Sequence, residues 1–371
     1  MESTTPFIEK LSPEEREQYV HIVDKWTKRN IPAFIERVNN EIDTDRKHQE
    51  IVRLCAKSFA DTDLAKKTGY EFYFAEPLIE FGSEKPGNKS FDLLLYNEST
   101  HHAIFISCKS SVSDVKDVLS EIQEARILVE EKIQYLISDC IGDQLTIDDI
   151  EYVLCIHEKD SQKIIDSLRD QSKKTKKISK PDSHEPILWI YYPRTDIIQI
   201  HADHAHKNSQ LTDMLLTGAG QDDEKNQFDL PYCSTSHPYR ILQMAVVGDC
   251  YAKQRAAGNS DPKIINRNTL MTTLMKNISL GASFEKKKKI VLEKMDAVIQ
   301  YGKQYDVLAP HDDQSFKLNC RGEHINTVKK SMEEKYIANW STMRAKEESI
   351  KKANEEIFKK KYPTTLNKFG F

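Results

Sequence analysis

An acid, a hydroxyl and an amine fall into one hairpin in residues 91–111, FDLLLYNESTHHAIFISCKSS. Asp92 interrupts the first hydrophobic run, and Lys109 ends the second. If the turn centres on residues 99–100, Asp92 lies opposite Ser107, and Lys109 shares that face of the sheet two residues further on. Burying these groups costs free energy unless they pair or bind an ion. The residues alone therefore predict either an Asp92–Lys109 salt bridge at a sheet edge or a site for a metal ion and water.

The elements that must position this hairpin predict an α/β sandwich with a mixed sheet, because helices and strands alternate along residues 45–202. The amphipathic helix after the hairpin follows serine hydroxyls that can cap its first turn. Periodicity predicts, in order, helices at about 12–38 and 45–60, strands at 70–81, 91–97 and 102–109, a helix at 113–137, a strand at 151–158, a helix at 161–171, and a strand pair formed by ILWIYYP and DIIQIHA.

Asp92 followed by Ser107-Cys108-Lys109 at the end of the next strand resembles the motif of the PD-(D/E)XK nuclease superfamily. The order of helices and strands over about 45–202 is similar to the core of that family, and so implies a restriction-endonuclease-like fold. The resemblance implies that carboxylates, among them Asp92, hold Mg²⁺ and that Lys109 orients or activates the attacking water. A hard cation on oxygen ligands suits phosphodiester hydrolysis, since it neutralises the phosphate and supplies a hydroxide-like nucleophile.

Ser107 departs from the family pattern because it stands where a second carboxylate usually lies. Some restriction endonucleases of the superfamily have S-x-K and take the missing glutamate from the next helix. Helical geometry places Glu121 about 100° from the centre of that helix's apolar stripe and Glu124 about 200° away, with Gln123 on the other border. We therefore expect Glu121 to complete the site and the metal ligands, with Gln123 next and Glu124 last. The alternative is that all three are ordinary surface residues.

Acids upstream of the hairpin are further candidates for the catalytic site. Glu50 lies on the helix at 45–60, from which family members often contribute an acid. Glu76 and Glu80 share a strand face where alternation predicts apolar residues. Pro77 indicates an edge or a bulge, so solvent exposure explains the two strand acids as well.

The charge of the chain is divided between its two halves. Residues 234–371 hold 25 Lys or Arg against 15 Asp or Glu, whereas residues 1–233 hold 29 against 43. Helices at 238–257, 267–278 and 284–302, followed by a hairpin turning at 310–314, predict a winged helix that binds DNA. A lysine-rich helical bundle is the alternative. The expected phosphate contacts are Lys286, Lys287, Lys288, Lys289 and Lys317, with Lys173 and Lys174 in a basic loop.

Several other classes of protein or site are not supported by the sequence. No apolar run could span a bilayer, and the N-terminus has no signal-peptide pattern, so we expect a cytoplasmic protein without membrane contact. Seven scattered cysteines without C-x-x-C fit a reducing compartment and argue against structural zinc. No P-loop or dinucleotide motif is present, so no nucleotide cofactor is expected. The cluster HADHAHK at 201–207 is typical of a solvated turn, with a transition-metal site as the alternative.

The predicted domains are an N-terminal helical extension (1–40), a PD-(D/E)XK-like catalytic domain (41–217), a linker (218–236), a winged helix (237–330) and a helical tail (331–371). The predicted function is a Mg²⁺-dependent, site-specific endonuclease of double-stranded DNA, similar to a type II restriction enzyme. The resemblance also implies a homodimer, because duplex cleavage needs two active sites. The alternatives are a catalytically inactive DNA-binding scaffold on the same fold and a repair or junction-resolving nuclease.

Overall fold

The computed structural model describes residues 11–75, 91–136, 146–175, 185–220, 237–277 and 284–361. The chain forms two compact units. One contains residues 44–241 and 268–298, and the other contains residues 1–43, 242–267 and 299–371. Among the helices within these ranges, none combines the length and the hydropathy that crossing a membrane requires.

A mixed seven-stranded sheet organises the first unit, as the predicted α/β sandwich requires. Its strands are neighbours in chain order: the third strand pairs parallel with the fourth and the fourth with the fifth, and the other neighbours pair antiparallel. The strands are β1 (Glu71–Ala75), β2 (Leu93–Asn97), β3 (His102–Lys109), β4 (Asp149–His157), β5 (Ile187–Tyr192), β6 (Ile197–Ile200) and β7 (Ala219–Gly220).

Helices bury both faces of this sheet. One face packs against the end of α1 (Pro13–Ser58) and against α5 (Ser209–Thr217), through residues such as Ile51 and Leu211. The other packs against α3 (Val115–Leu136) and α4 (Glu158–Thr175), through residues such as Ile122 and Ile164. The short helix α2 (Asp63–Thr68) precedes β1. Because both faces are covered, β2 and β3 are apolar along most of their length.

The first helix is longer than predicted. The sequence predicts a break near residue 40, but α1 runs without interruption through Pro32 to Ser58. It begins with a capping box, in which the Glu15 amide donates to Ser12 Oγ over 3.2 Å and the Ser12 amide donates to Glu15 Oε2 over 2.7 Å. The prediction of two helices was wrong because residues 39–50 are largely polar and hide the continuity of the helix.

The second unit joins the beginning of the chain to its end. The last helix, α10 (Ile325–Lys361), packs Ala353 and Ile357 against Leu11, Tyr19 and Val23 of the N-terminal segment. The predicted hairpin is confirmed: β9 (Leu308–Pro310) pairs with β10 (Ser315–Leu318), and β8 (Ile264–Asn266) adds a third strand.

Four further helical segments follow β7 along the chain: α6 (Pro238–Ile241), α7 (Ala252–Ala256), α8 (Arg267–Asn277) and α9 (Phe284–Gln304). Helix α7 belongs to the second unit, whereas α6, α8 from residue 268 and α9 up to residue 298 belong to the first. The helix predicted at 238–257 is not one α-helix, because residues Leu242–Tyr251 form π-type turns between α6 and α7. The predicted linker also begins later than expected: Gly218 caps α5, and Ala219 and Gly220 pair with β6. Residues 221–236 lie outside the described part of the chain.

Candidate active site at the carboxyl edge of the parallel strands

The hairpin has the predicted register. Leu93 pairs with Ile106, and the Asp92 amide also donates to the Ile106 carbonyl over 2.9 Å, so the regular pairing ends at Leu93 and does not include Asp92 and Ser107. Lys109 ends β3 at the edge where the parallel strands β4 and β5 also end. In open α/β sheets this edge is the common location of ligand sites.

Asp92 is bound from two sides. The Cys108 amide donates to its Oδ2 over 2.5 Å, and His48 Nε2 of α1 lies 3.1 Å from its Oδ1. The two side chains are 16% and 24% exposed, so this carboxylate faces a small opening rather than bulk solvent. Sequence reasoning missed His48. The available signal is its spacing, because it precedes buried Ile51 by three residues and buried Cys55 by seven on the same helix face.

Lys109 contacts Glu121, the acid ranked first from helical geometry. Lys109 Nζ lies 2.6 Å from Glu121 Oε2, and the side chains are 31% and 50% exposed. Buried Val118 and Ile122 hold this turn of α3 against the sheet. Gln123 is exposed, and Glu124 accepts a hydrogen bond from Ser120 Oγ over 3.3 Å.

Asp92 and Lys109 do not share one face as predicted. Phe91 packs on the α3 side of the sheet and Leu93 on the α1 side, so the alternation breaks at Asp92. The carboxylate takes His48 of α1 as its partner, whereas Lys109 takes Glu121 of α3. The two groups therefore meet helices on opposite faces, and each has its own partner rather than pairing with the other. Ser107 is buried in the strand between them.

His157 is a second imidazole at this edge, where it ends β4. Its ring contacts Tyr191 edge-on, with the ring centroids 6.0 Å apart. Burial lowers the pKa of His157, and the positive charge of Lys159 lowers it further. Sequence reasoning did not select this residue, because a histidine at the end of an apolar strand has no motif around it.

The other predicted site residues are dispersed or lie outside the described chain. Glu50 is exposed on α1, and its charge is one of the causes, after burial and Asp196, that raise the pKa of Tyr191 to about 12. Glu76 and Glu80 fall outside the described residues, as do the side chains of Lys173, Lys174 and Lys286.

The remaining predicted DNA contacts differ in their surroundings. Lys288 and Lys289 are exposed on α9, whereas Lys287 is half-buried and burial lowers its pKa. Lys317 Nζ lies 3.0 Å from Asp261 Oδ2, so a phosphate would have to displace this carboxylate.

A buried polar network lies at the opposite end of the parallel strands. Glu151 Oε2 lies 2.8 Å from His206 Nδ1 and 3.8 Å from His102 Nε2. Trp189 Nε1 donates to His206 Nε2 over 2.9 Å, and the Tyr70 hydroxyl pairs with His102 Nδ1. His206 is thus buried and bonded to residues of the sheet. For this residue, the predicted solvated turn at 201–207 was wrong.

The comparisons with known proteins leave the activity open. No family model matches the chain, and no solved structure matches it. An uncharacterized protein of Archaeoglobus fulgidus is 22% identical over 370 residues, which cover 96% of this chain and 98% of that protein. The similarity therefore extends over both units and is not confined to the hairpin.

Proposed function

We propose that this protein is a Mg²⁺-dependent endonuclease of double-stranded DNA, similar to PD-(D/E)XK restriction enzymes. The observation that carries the proposal is the Lys109–Glu121 contact of 2.6 Å at the end of β3, beside β2, which Asp92 precedes. The edge of the sheet thus carries two carboxylates and a lysine, with Asp92 on the α1 side and Glu121 and Lys109 on the α3 side, where the sequence motif has only one carboxylate and a serine.

The order of elements supports the same proposal. A helix, three antiparallel strands, a helix and a strand parallel to the third follow one another along the chain. Asp92 precedes the second of these strands, and Lys109 ends the third. This order of elements supports the proposal, because it is the order that the resemblance implies for the core around the motif.

Asp92 and Glu121 each offer carboxylate oxygens, the ligands that a hard divalent cation prefers, in partly exposed positions. Because they meet helices on opposite faces of the sheet, an ion held by both would lie beyond the ends of the strands. Bound Mg²⁺ would lower the pKa of a coordinated water and neutralise charge on the scissile phosphate. The Cys108 amide fixes the Asp92 carboxylate, and His48 holds its other oxygen. Lys109, released from Glu121 when that carboxylate binds the ion, would orient the attacking water. Glu50 is a further candidate, near Tyr191.

DNA binding is assigned to the C-terminal part of the chain. Helix α6 to α7, strand β8, helices α8 and α9, and strands β9 and β10 follow in the order typical of a winged helix. Exposed Lys288 and Lys289 of α9 would neutralise phosphates. Cleavage of both strands would use two copies of the chain, so the proposed active form is a homodimer.

A second candidate function is DNA binding without cleavage. It is favoured by Ser107, which replaces a carboxylate, and by the fact that Asp92 and Lys109 already have partners in His48 and Glu121. In that case the two ion pairs only stabilise the sheet edge.

Incubation of the protein with methylated and unmethylated plasmid DNA, in Mg²⁺ or EDTA, separates these functions. We expect discrete fragments that require Mg²⁺ and that disappear with Lys109→Ala, Asp92→Ala and Glu121→Gln. Lys116→Ala is the matched control, because Lys116 is exposed on the same helix as Glu121. If the wild-type protein binds DNA but cuts none of these substrates, the proposed nuclease activity would be overturned in favour of DNA binding without cleavage.

A further inference from the structure

Three cysteine side chains from separate elements meet between the sheet and α1. Cys55 belongs to α1, Cys108 to β3 and Cys155 to β4, and their sulfur atoms all lie within 4.8 Å of one another. Cys108 and Cys155 are paired across the parallel strands, so their side chains leave the same face next to each other. The Cys55 and Cys155 sulfurs are 3.7 Å apart, and each of the three residues is at most 1% exposed.

The spacing of the sulfurs matches the size of a thiolate-bound metal. Zinc–sulfur bonds of about 2.3 Å in a tetrahedron place neighbouring sulfurs about 3.8 Å apart. Thiolates are soft ligands that select zinc or monovalent copper over Mg²⁺ or Ca²⁺. The thiol cluster is therefore chemically distinct from the carboxylate site on the neighbouring residues.

Charge balance distinguishes the two soft ions. The cluster lies in an apolar core and beside Asp92, whose Oδ2 accepts from the Cys108 amide. A divalent ion compensates two thiolate charges, whereas a monovalent ion compensates one, and uncompensated charge is costly in such surroundings.

The thiols also differ in how readily they ionise. Burial raises the pKa of Cys55 and Cys108. Burial opposes the ionisation of Cys155 as well, but hydrogen bonds from the other two thiols outweigh it and lower the Cys155 pKa.

We propose that Cys55, Cys108 and Cys155 form a buried zinc site with three protein thiolates. Within the described residues no fourth His, Cys, Asp or Glu atom joins this group, so one coordination position is open to water or an added ligand. The site ties α1 to β3 and β4 behind the candidate active site. It does not depend on the proposed nuclease activity.

Metal content and a cobalt spectrum test the site directly. Protein purified under reducing conditions from zinc-supplemented cells should hold one zinc ion per chain by elemental analysis. Replacement of zinc by Co²⁺ should produce thiolate-to-cobalt charge-transfer absorption. Cys55→Ala, Cys108→Ala and Cys155→Ala should each lose that band, whereas Cys250→Ala and Cys320→Ala, which remove buried cysteines elsewhere, should retain it.

A second measurement uses the unaltered protein, in case a core substitution prevents folding. Alkylation in moderate urea, read by mass spectrometry, should show that zinc protects Cys55, Cys108 and Cys155 but not Cys250 or Cys320. Reduced wild-type protein that binds neither Zn²⁺ nor Co²⁺ would overturn the proposal, and the three thiols would then be small core side chains. A cobalt band that survives substitution of all three cysteines would assign the metal to other residues and overturn it equally.

Discussion

At the scale of single residues, the buried network around His102 couples the stability of the sheet to pH. Burial lowers the pKa of His102, although the charges of Glu151 and Asp149 oppose this. Burial would raise the pKa of Glu151, but the hydrogen bond from His206 and the surrounding positive charge outweigh it and lower that pKa. Both groups therefore bind protons more readily in the unfolded chain than in the folded one.

The sign of the pH dependence follows from these two directions. A histidine with a lowered pKa contributes stability above its unfolded value of about 6.5, and this is lost as the pH falls below that value. A glutamate with a lowered pKa contributes stability above about 4.5, and this is lost at lower pH. Urea unfolding should show the free energy of unfolding falling from pH 8 to pH 5.5, and falling again below pH 4.5.

Substitution of His102 isolates its share of this effect. His102→Gln should flatten the loss of stability between pH 8 and pH 5.5, whereas His21→Gln, at an exposed position on α1, should leave the slope unchanged. An equal slope in the wild type and in His102→Gln would show that the network does not titrate in this range. Glu151→Ala should cost about 3–5 kcal/mol at pH 7, because it leaves buried donors without their acceptor.

Substitutions of Lys109 and Glu121 distinguish a role of this pair in stability from a role in catalysis. Because both side chains are partly exposed, a double-mutant cycle of Lys109→Met and Glu121→Gln should give a coupling of only about 0.2–1 kcal/mol, reduced by high salt. If the proposed nuclease activity is correct, either substitution should instead abolish the cleavage of DNA. A large coupling together with retained cleavage would identify the pair as a structural tie.

The sequence predicted part of the candidate site for a physical reason. The hairpin register follows from its short turn and alternation, and the position of Glu121 follows from the helical period of α3. The direction of Asp92 could not be predicted, because alternation breaks at that residue. The spacing of His48 from Ile51 and Cys55 places it on the buried face of α1, but its contact with Asp92 could not be predicted, because that depends on how α1 packs on the sheet.

At the scale of elements, α3 determines where Glu121 lies, and the buried residues of α3 hold the helix against the sheet. Ile122→Ala removes a side chain that is 4% exposed and should cost about 2–5 kcal/mol. Ile127→Ala removes the same side chain from the same helix at a position that is 44% exposed, and should change stability by about 0.5 kcal/mol or less. Chemical denaturation of the two variants measures the difference, and equal effects would contradict the packing described for α3.

Element boundaries were predictable where one face is clearly apolar. Strands β2 and β3 and helix α3 were predicted within a few residues because continuous burial leaves a strong pattern. The continuity of α1 was not predictable, because Pro32 and a polar stretch interrupt its pattern and tertiary contacts hold the helix. The three-residue strand β8 is too short to leave a pattern and exists through its pairing with β10.

At the scale of the whole molecule, the proposed binding of DNA by the basic C-terminal half predicts how the affinity for DNA depends on salt. If Lys288 and Lys289 each neutralise one phosphate, replacing both with Glu should reduce the slope of log affinity against log salt by about 1.8. Lys25→Glu with Lys28→Glu makes the same charge change on exposed positions of α1 and should leave the slope nearly unchanged. Binding titrations at several salt concentrations measure both, and equal slopes in the two double variants would remove α9 from the DNA interface.

The strand order of the sheet has a consequence for the time course of folding. Every strand from β1 to β7 pairs with the next one along the chain, so each pairing closes a comparatively short loop. The sheet can therefore assemble progressively while the ribosome is still extending the polypeptide. The contacts of Leu11, Tyr19 and Val23 with Ala353 and Ile357 form only after the last helix has been synthesised. Folding should accordingly have two stages. The sheet forms strand by strand during synthesis, and the two ends of the chain pack together after synthesis is complete.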